Sequence, residues 1–153
     1  MDVMSEPAIT ACTEADFLQI TGSLDQFWDE PREQLHHRLF LSEFGESAYV
    51  IRHGQLVVAY LFGLIGTAQP RTGYVHLIAV RNGHRGRGLA RKLYERFENY
   101  ARGKGCSQLK AITSPGNIGS IEFHKSIGMQ TQVMKHFAGP TEAHHRVVFT
   151  KAI

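Results

Sequence analysis

One segment constrains this chain more than any other. An apolar run, Tyr74 to Val80, passes through Arg81-Asn82-Gly83-His84-Arg85-Gly86-Arg87-Gly88 into a stretch whose Leu89, Leu93, Phe97, Tyr100 and Ala101 recur at helical spacing. A strand feeding a glycine-rich turn and then an amphipathic helix dictates a helix packed on a sheet. Gly86 and Gly88 have no Cβ, so their backbone can approach a ligand closely. The turn leads into a helix N-terminus, where unpaired amides and the dipole favour an anion. Arg85 and Arg87 add positive charge there. A phosphate or pyrophosphate is the natural occupant; a tight turn with solvated arginines is the plain alternative. The GxxxxGK[ST] loop is excluded, because the only Lys-Ser pair, Lys125-Ser126, lies elsewhere. The GxGxxG dinucleotide fingerprint fails as well, since its third glycine position holds Arg91.

The elements around this turn follow from local patterns. Thr13 caps a helix through Ile20, with Glu14 and Asp16 at the positive end of its dipole. Pro31 opens a second helix in which Leu35, Leu39, Phe40 and Phe44 keep helical spacing until Gly45. Ala48 to Arg52 alternates as a strand, turns at His53-Gly54 and returns along Gln55 to Gly66. Tyr74 to Val80 is nearly all apolar, which predicts a strand covered on both faces. Leu109 to Thr113 is a short strand, Asn117 to Ile127 a helix stopped by Gly128, and Gln130 to Phe137 and Val147 to Lys151 are closing strands. Two helices, three strands and then mixed elements predict an α/β (α+β) mixed sheet with helices on both faces. No repeat or linker divides residues 1–153, so a single domain is expected.

Charge is unevenly distributed. Residues 1–46 hold ten acids and two bases, a net −8, against fifteen bases and four acids beyond them, a net +11, and the whole chain carries +3. Such a split suggests two differently charged partners. The two cysteines, Cys12 and Cys106, are too few for a disulfide framework and lack metal-ligand spacing. The N-terminus shows no basic and apolar signal regions, and the longest apolar stretch, Leu56 to Gly66, falls short of the ~20 residues that span a bilayer. A cytoplasmic chain with no metal and no membrane partner is expected.

A second segment, Asn117-Ile-Gly-Ser120-Ile-Glu-Phe123-His124-Lys-Ser-Ile-Gly128-Met129, joins the first, Arg85-x-x-Gly88-x-Ala90. Together they resemble the two acetyl-CoA motifs of the general N-acetyltransferase superfamily (GNAT), R/Q-x-x-G-x-G/A and N-x-x-A-x-x-F-Y-x-x-x-G-F. The similarity is close over residues 74–130 and loose elsewhere.

The resemblance implies a mostly antiparallel twisted sheet of about six to seven strands, with a V-shaped splay between the fourth and fifth that takes the pantetheine arm. It implies backbone contacts to the cofactor from Ile78, Ala79 and Val80. The pyrophosphate is wrapped by Arg85, Gly86, Arg87, Gly88, Leu89 and Ala90, and Asn117 and Ser120 meet the pantetheine end. His124 stands where the family places a tyrosine that protonates the leaving thiolate. An imidazolium can donate that proton; packing alone is the other reading, with Ser120 as fallback donor. Tyr74 and His76 occupy positions that in the family hold a base or water, and a neutral His76 imidazole can take a proton from an incoming ammonium. A hydrogen-bonded core histidine is the alternative.

The resemblance implies acetyl transfer from acetyl-CoA to a primary amine by direct attack. The first helices form one wall of the family's acceptor site, and here that region carries Trp28, Asp29 and Glu30, with Asp25 and Glu33 nearby. These acids would steer a small cationic amine, with Phe27 or Trp28 offering an aromatic face. Acetylation of a protein amino group and a non-catalytic acyl-CoA sensor remain alternatives, and there is room for a homodimer. His36-His37 and His144-His145 point apart and make no ready chelate, while the basic helix face at Arg91, Lys92, Arg96, Arg102 and Lys104 lacks the aromatic interleaving of a nucleic-acid binder.

Overall fold

The computed structural model describes residues 7–30 and 32–153. Its strands and main helices are β1 (Ile9–Ala11), α1 (Glu14–Thr21), α2 (Leu39–Ser42), β2 (Ala48–His53), β3 (Leu56–Gly66), β4 (Thr72–Val80), α3 (Leu89–Gly103), β5 (Gln108–Thr113), α4 (Ile118–Ser126), β6 (Gln130–Met134) and β7 (Arg146–Ala152). The seven strands form one mixed sheet in the order β1-β2-β3-β4-β5-β7-β6. β4 and β5 are parallel, and their register covers only Thr72↔Gln108 to Val75↔Ala111, although β4 runs on to Val80. Among the described residues, no helix is long and apolar enough to cross a membrane.

The chain folds as two compact units. The first comprises residues up to Leu64 together with Leu77–Phe97. In it Thr13 caps α1 reciprocally: its hydroxyl accepts from the Asp16 amide at 3.2 Å, and the Asp16 carboxylate accepts from the Thr13 amide at 2.8 Å. Arg52 donates to the same carboxylate through Nε at 2.9 Å. Arg52 and Thr13 together hold the Asp16 carboxyl below the usual range against its burial, which alone would raise it. β2 and β3 pair about Gly54-Gln55, with Gly54 at φ 62°, a left-handed conformation that a tight hairpin demands. Phe17, Ile20, Phe27, Phe40, Tyr60 and Phe62 fill the core, with Phe62 stacked between Phe17 and Phe40.

Three expectations need correction here. The segment expected to be one helix from Pro31 to Gly45 is broken; Pro31 itself lies outside the described residues. It forms a 3-10 turn at Glu33–Leu35, the four-residue α2 and a 3-10 turn at Gly45–Ser47. The break is at His36, whose backbone leaves the helical region (φ −93°, ψ 66°) as its ring turns inward. Second, the strand covered on both faces is β3, buried from Val57 through Gly63, whereas β4 alternates, with Gly73, Val75, Leu77 and Ala79 buried and Tyr74, His76, Ile78 and Val80 half-buried. Third, β1 was not expected; at three residues it is too short to show a period.

Gly63 is required by packing. A Cβ there would lie 2.6 Å from Cε1 of Phe97, which is fully buried. Gly63→Ala should therefore cost about 1–3 kcal/mol by overpacking. Urea denaturation reads this as a lower midpoint, and an unchanged midpoint would mean that Phe97 can retreat.

The second unit comprises Ile65–His76 and Glu98–Ile153. β7 pairs antiparallel with β5 from Gln108↔Ala152 to Thr113↔Val147 and with β6 from Gln130↔Thr150 to Met134↔Arg146. Every residue of β6 is exposed, as suits its place at the sheet edge. Glu98 accepts from Lys151 at 2.9 Å and pairs with Arg102 at 2.6 Å.

Candidate active site

The glycine-rich turn belongs to the first unit and is fixed from both sides. The Arg81 amide donates to the Val58 carbonyl at 2.7 Å, the Asn82 amide to the Gln26 carbonyl at 2.8 Å, and the His84 amide to the Arg81 carbonyl at 3.0 Å. Gly86 and Gly88 both sit at φ 78°. Nothing lies within 4 Å of where their Cβ atoms would be, so backbone conformation rather than space demands glycine. α3 begins at Leu89, and the first-turn amides of an α-helix have no intrahelical partner. The result is an exposed, preformed run of amides at a positive dipole end, which suits a phosphate. Gly88→Ala places a side chain in the left-handed region at a cost of about 1–2 kcal/mol. The expected outcome is an acetyl-CoA Kd raised about tenfold, measured by calorimetry; an unaltered Kd would show that the turn does not carry the cofactor.

The Arg85 side chain is held within the turn's own surroundings. Its Nε donates to the Val80 carbonyl at 3.1 Å and its Nη2 to the Phe27 carbonyl at 2.9 Å. The side chain ties the turn to the end of β4 and to residue 27, while Arg87 remains exposed. Leu89 and Ala79 are buried (both 7% exposed), so only their backbone can serve a ligand. Ile78 and Val80 lie on the half-buried face of β4.

In the second unit, Asn117 caps α4. Its Oδ1 accepts from the Ser120 amide at 3.2 Å, and its Nδ2 donates to Thr113 Oγ1 at 3.1 Å. His124, one helical turn beyond Ser120, is buried and lies parallel to the Phe149 ring, with centroids 4.0 Å apart. Its Nδ1 is 2.7 Å from the Ser120 carbonyl oxygen. A carbonyl only accepts, so Nδ1 carries the proton and Nε2 does not. Burial lowers the His124 pKa to about 4. The imidazolium expected from an ordinary histidine is therefore not the form present near neutrality, and Ser120 Oγ lies 3.3 Å from Nδ1.

Tyr74 and His76 share the half-buried face of β4, as the period of two requires. Burial pushes the Tyr74 phenol above its ordinary value, so it is a neutral hydroxyl rather than a base. Of the two, His76 is the residue with base chemistry.

The three acceptor-side residues divide. Asp29 and Glu30 are exposed, whereas Trp28 is half-buried and donates through Nε1 to the Tyr60 hydroxyl at 2.8 Å. The aromatic faces offered to a cation already have cations of the chain's own: Arg32 lies 5.7 Å from the Trp28 ring and Arg81 4.6 Å from the Phe27 ring. Sequence reasoning missed Tyr60 and gave His36 no role, yet the two join Trp28 in a hydrogen-bonded chain. The only available signal was a polar hydroxyl in an apolar run. Among the described residues, no three His, Cys, Asp or Glu side chains are grouped to hold a metal ion.

Comparison with known proteins accords with this geometry. Residues 16–129 match the Acetyltransferase (GNAT) family. The rat protein N-acetyltransferase 8B (Rattus norvegicus) is 30% identical over 126 residues, which is 80% of this chain, and the chain spans only 49% of that relative's length. Among solved structures, Ard1 from Thermoplasma volcanium superposes with a TM-score of 0.80 at 17% identity, covering 97% of this chain and 99% of that one. The NatC complex bound to Gag peptide and CoA gives 0.79 at 18% identity, covering 97% and 99%. The ribosomal-protein-S18-alanine N-acetyltransferase from Escherichia coli gives 0.73 at 16% identity, covering 97% and 94%. These last likenesses speak to fold, and the family match speaks to descent: the chain belongs to the GNAT family of acyltransferases.

Proposed function

We propose that residues 1–153 act as one N-acetyltransferase domain that moves the acetyl group of acetyl-CoA to a primary amine. The observation that carries this reading is the turn at 81–88, with two left-handed glycines running into the N-terminus of α3. It is built for a pyrophosphate rather than for a neutral ligand. Asn117 and Ser120 are assigned to the pantetheine end by their match to the second family motif. Acetyl-CoA supplies a thioester whose acyl carbon is the electrophile. The chain's own residues supply the rest. His76 accepts the proton that an ammonium must lose before its nitrogen can attack. A β4 amide near Ile78 holds the oxyanion as the tetrahedral species forms, and a donor such as that is worth about 10²–10³ in rate. When the C–S bond breaks, the thiolate takes its proton from water, directly or relayed through the Ser120 hydroxyl, which regains its own from that water, since a thiol of pKa roughly 8.5 leaves without a strong acid.

Asp29 and Glu30, both exposed, favour an acceptor that is cationic before it reacts. A small amine fits this. A protein or peptide amino terminus is the second reading, favoured by solved relatives captured with a Gag peptide and with a CoA-Ac-MVNAL bisubstrate analogue. We place the protein in the cytoplasm, consistent with two cysteines that are both free and buried. The test is a screen of polyamines, amino acids and short peptides for acceptor-dependent release of CoA thiol. Release with at least one amine supports the proposal. Tight acetyl-CoA binding with no release by any amine favours a sensor instead.

A further inference from the structure

Three polar side chains of the first unit, Trp28, Tyr60 and His36, none of which takes part in a proton or acyl transfer above, form a relay with one consistent set of proton positions. Tyr60 is completely buried and His36 is 7% exposed. His36 Nδ1 lies 2.7 Å from the Arg32 carbonyl oxygen. Since a carbonyl only accepts, Nδ1 carries the proton and Nε2 presents a lone pair. The Tyr60 hydroxyl, 2.7 Å from Nε2, donates to it. The Tyr60 oxygen in turn accepts from Trp28 Nε1 at 2.8 Å. One carbonyl thus sets every proton along the chain, and burial raises the phenol's pKa, keeping it neutral.

The relay ties both ends of the 28–36 segment to a single hydroxyl on β3, a strand buried from Val57 to Gly63. Tyr60 is held edge-on to Phe27 at 5.0 Å and tilted against Phe62 at 5.1 Å, so the hydroxyl has a fixed position. Leu35, Leu39 and Phe40 keep helical spacing, yet the backbone leaves the helix at His36 and the ring reaches Tyr60. A fully satisfied polar network specifies one geometry where apolar packing would tolerate several.

We propose that Tyr60 and His36 are positioning residues, which act through Trp28 and the Arg32 carbonyl to hold residues 28–30 and 32–36, and so Asp29 and Glu30, in the one arrangement that receives the acceptor. The claim about the acceptor rests on reading that segment as its wall; the claim of immobilisation does not.

Trp28 is the chain's only tryptophan, so its fluorescence reports on this segment alone. Tyr60→Phe removes the hydroxyl and keeps the ring. In the full chain, acrylamide quenching of Trp28 should rise about twofold as the segment loosens. CoA affinity by calorimetry should stay within about twofold. With an amine identified by the screen, the acceptor KM should rise about tenfold while kcat changes by less than about threefold, since one hydrogen bond to a positioning group is lost. His36→Phe should give the same split, and it decides the matter if Tyr60→Phe does not fold. Unchanged quenching overturns the proposal, as does a rise in the KM values of acceptor and acetyl-CoA together. If the parent protein acetylates no amine, the acetyl-transfer reading fails, and raised quenching still supports the lock while unchanged quenching sinks it.

Discussion

Between about pH 6.5 and pH 4, the folded protein should lose about 3 kcal/mol of stability through His124 alone. The sign follows from where the proton goes. In the unfolded chain His124 is an ordinary imidazole, protonated as the pH falls below about 6.5. In the folded chain burial against Phe149 holds its pKa down to about 4. Over this window the unfolded state binds a proton that the folded state does not, so stability is fully present above the unfolded value and drains away as pH falls. Carboxylates also titrate here, which makes the difference between two proteins the useful quantity. His124→Phe keeps a ring on Phe149 and removes the titration. Urea unfolding of both proteins from pH 7 to pH 4 should show the parent losing about 3 kcal/mol more than the variant over that range. Parallel curves would mean that His124 charges in the folded state as easily as in water.

The largest kinetic effect is expected at His76. His76→Gln keeps a polar side chain on the half-buried face of β4 and removes its base chemistry. Loss of a general base typically costs 10²–10⁴ in rate, and kcat/KM should fall by about 10² here. An unchanged kcat/KM across about pH 6–9 would assign His76 to the structure of β4 and return proton removal to water. KM for acetyl-CoA should hardly move, because the glycine-rich turn is untouched.

These two histidines also show what a sequence can and cannot display. Period-two alternation placed His76, Ile78 and Val80 on one face of a strand, and so they are. The two readings of His124, acid or packed ring, stayed open in the sequence because its burial involves Phe149, a residue twenty-five positions away that stacks on it. Local chemistry was legible elsewhere: Thr13 as the cap of α1 and the glycines of the β4–α3 turn are decided within a few residues, and the structure adds the reciprocal Asp16 bond and the Asn117 cap. The helix expected across 31–44 was not, because its apolar spacing says nothing of the hydroxyl on β3 that draws His36 out of helical geometry. Arg85 belongs to the same class. Its donors reach the Val80 and Phe27 carbonyls, the second of which is distant in sequence and not legible from the charge beside two glycines.

The uneven charge takes on a narrower meaning in this light. The basic part of the chain includes the turn and helix start suited to a pyrophosphate, and Asp29 and Glu30 stand exposed in the acidic front. Neutralising both should raise KM for a cationic amine severalfold at low salt and have little effect at high salt, because exposed charges are screened over roughly 10 Å at 0.1 M ionic strength.

The central claim is group transfer, and acetyl-labelled acetyl-CoA tests it most directly. With an accepting amine in excess, the label recovered on the amine and the free CoA thiol should appear in equal amounts, and Gly88→Ala should slow both together at subsaturating cofactor. Binding of acetyl-CoA with no label on any amine and no thiol released would contradict acetyl transfer and leave a cofactor-binding domain without turnover.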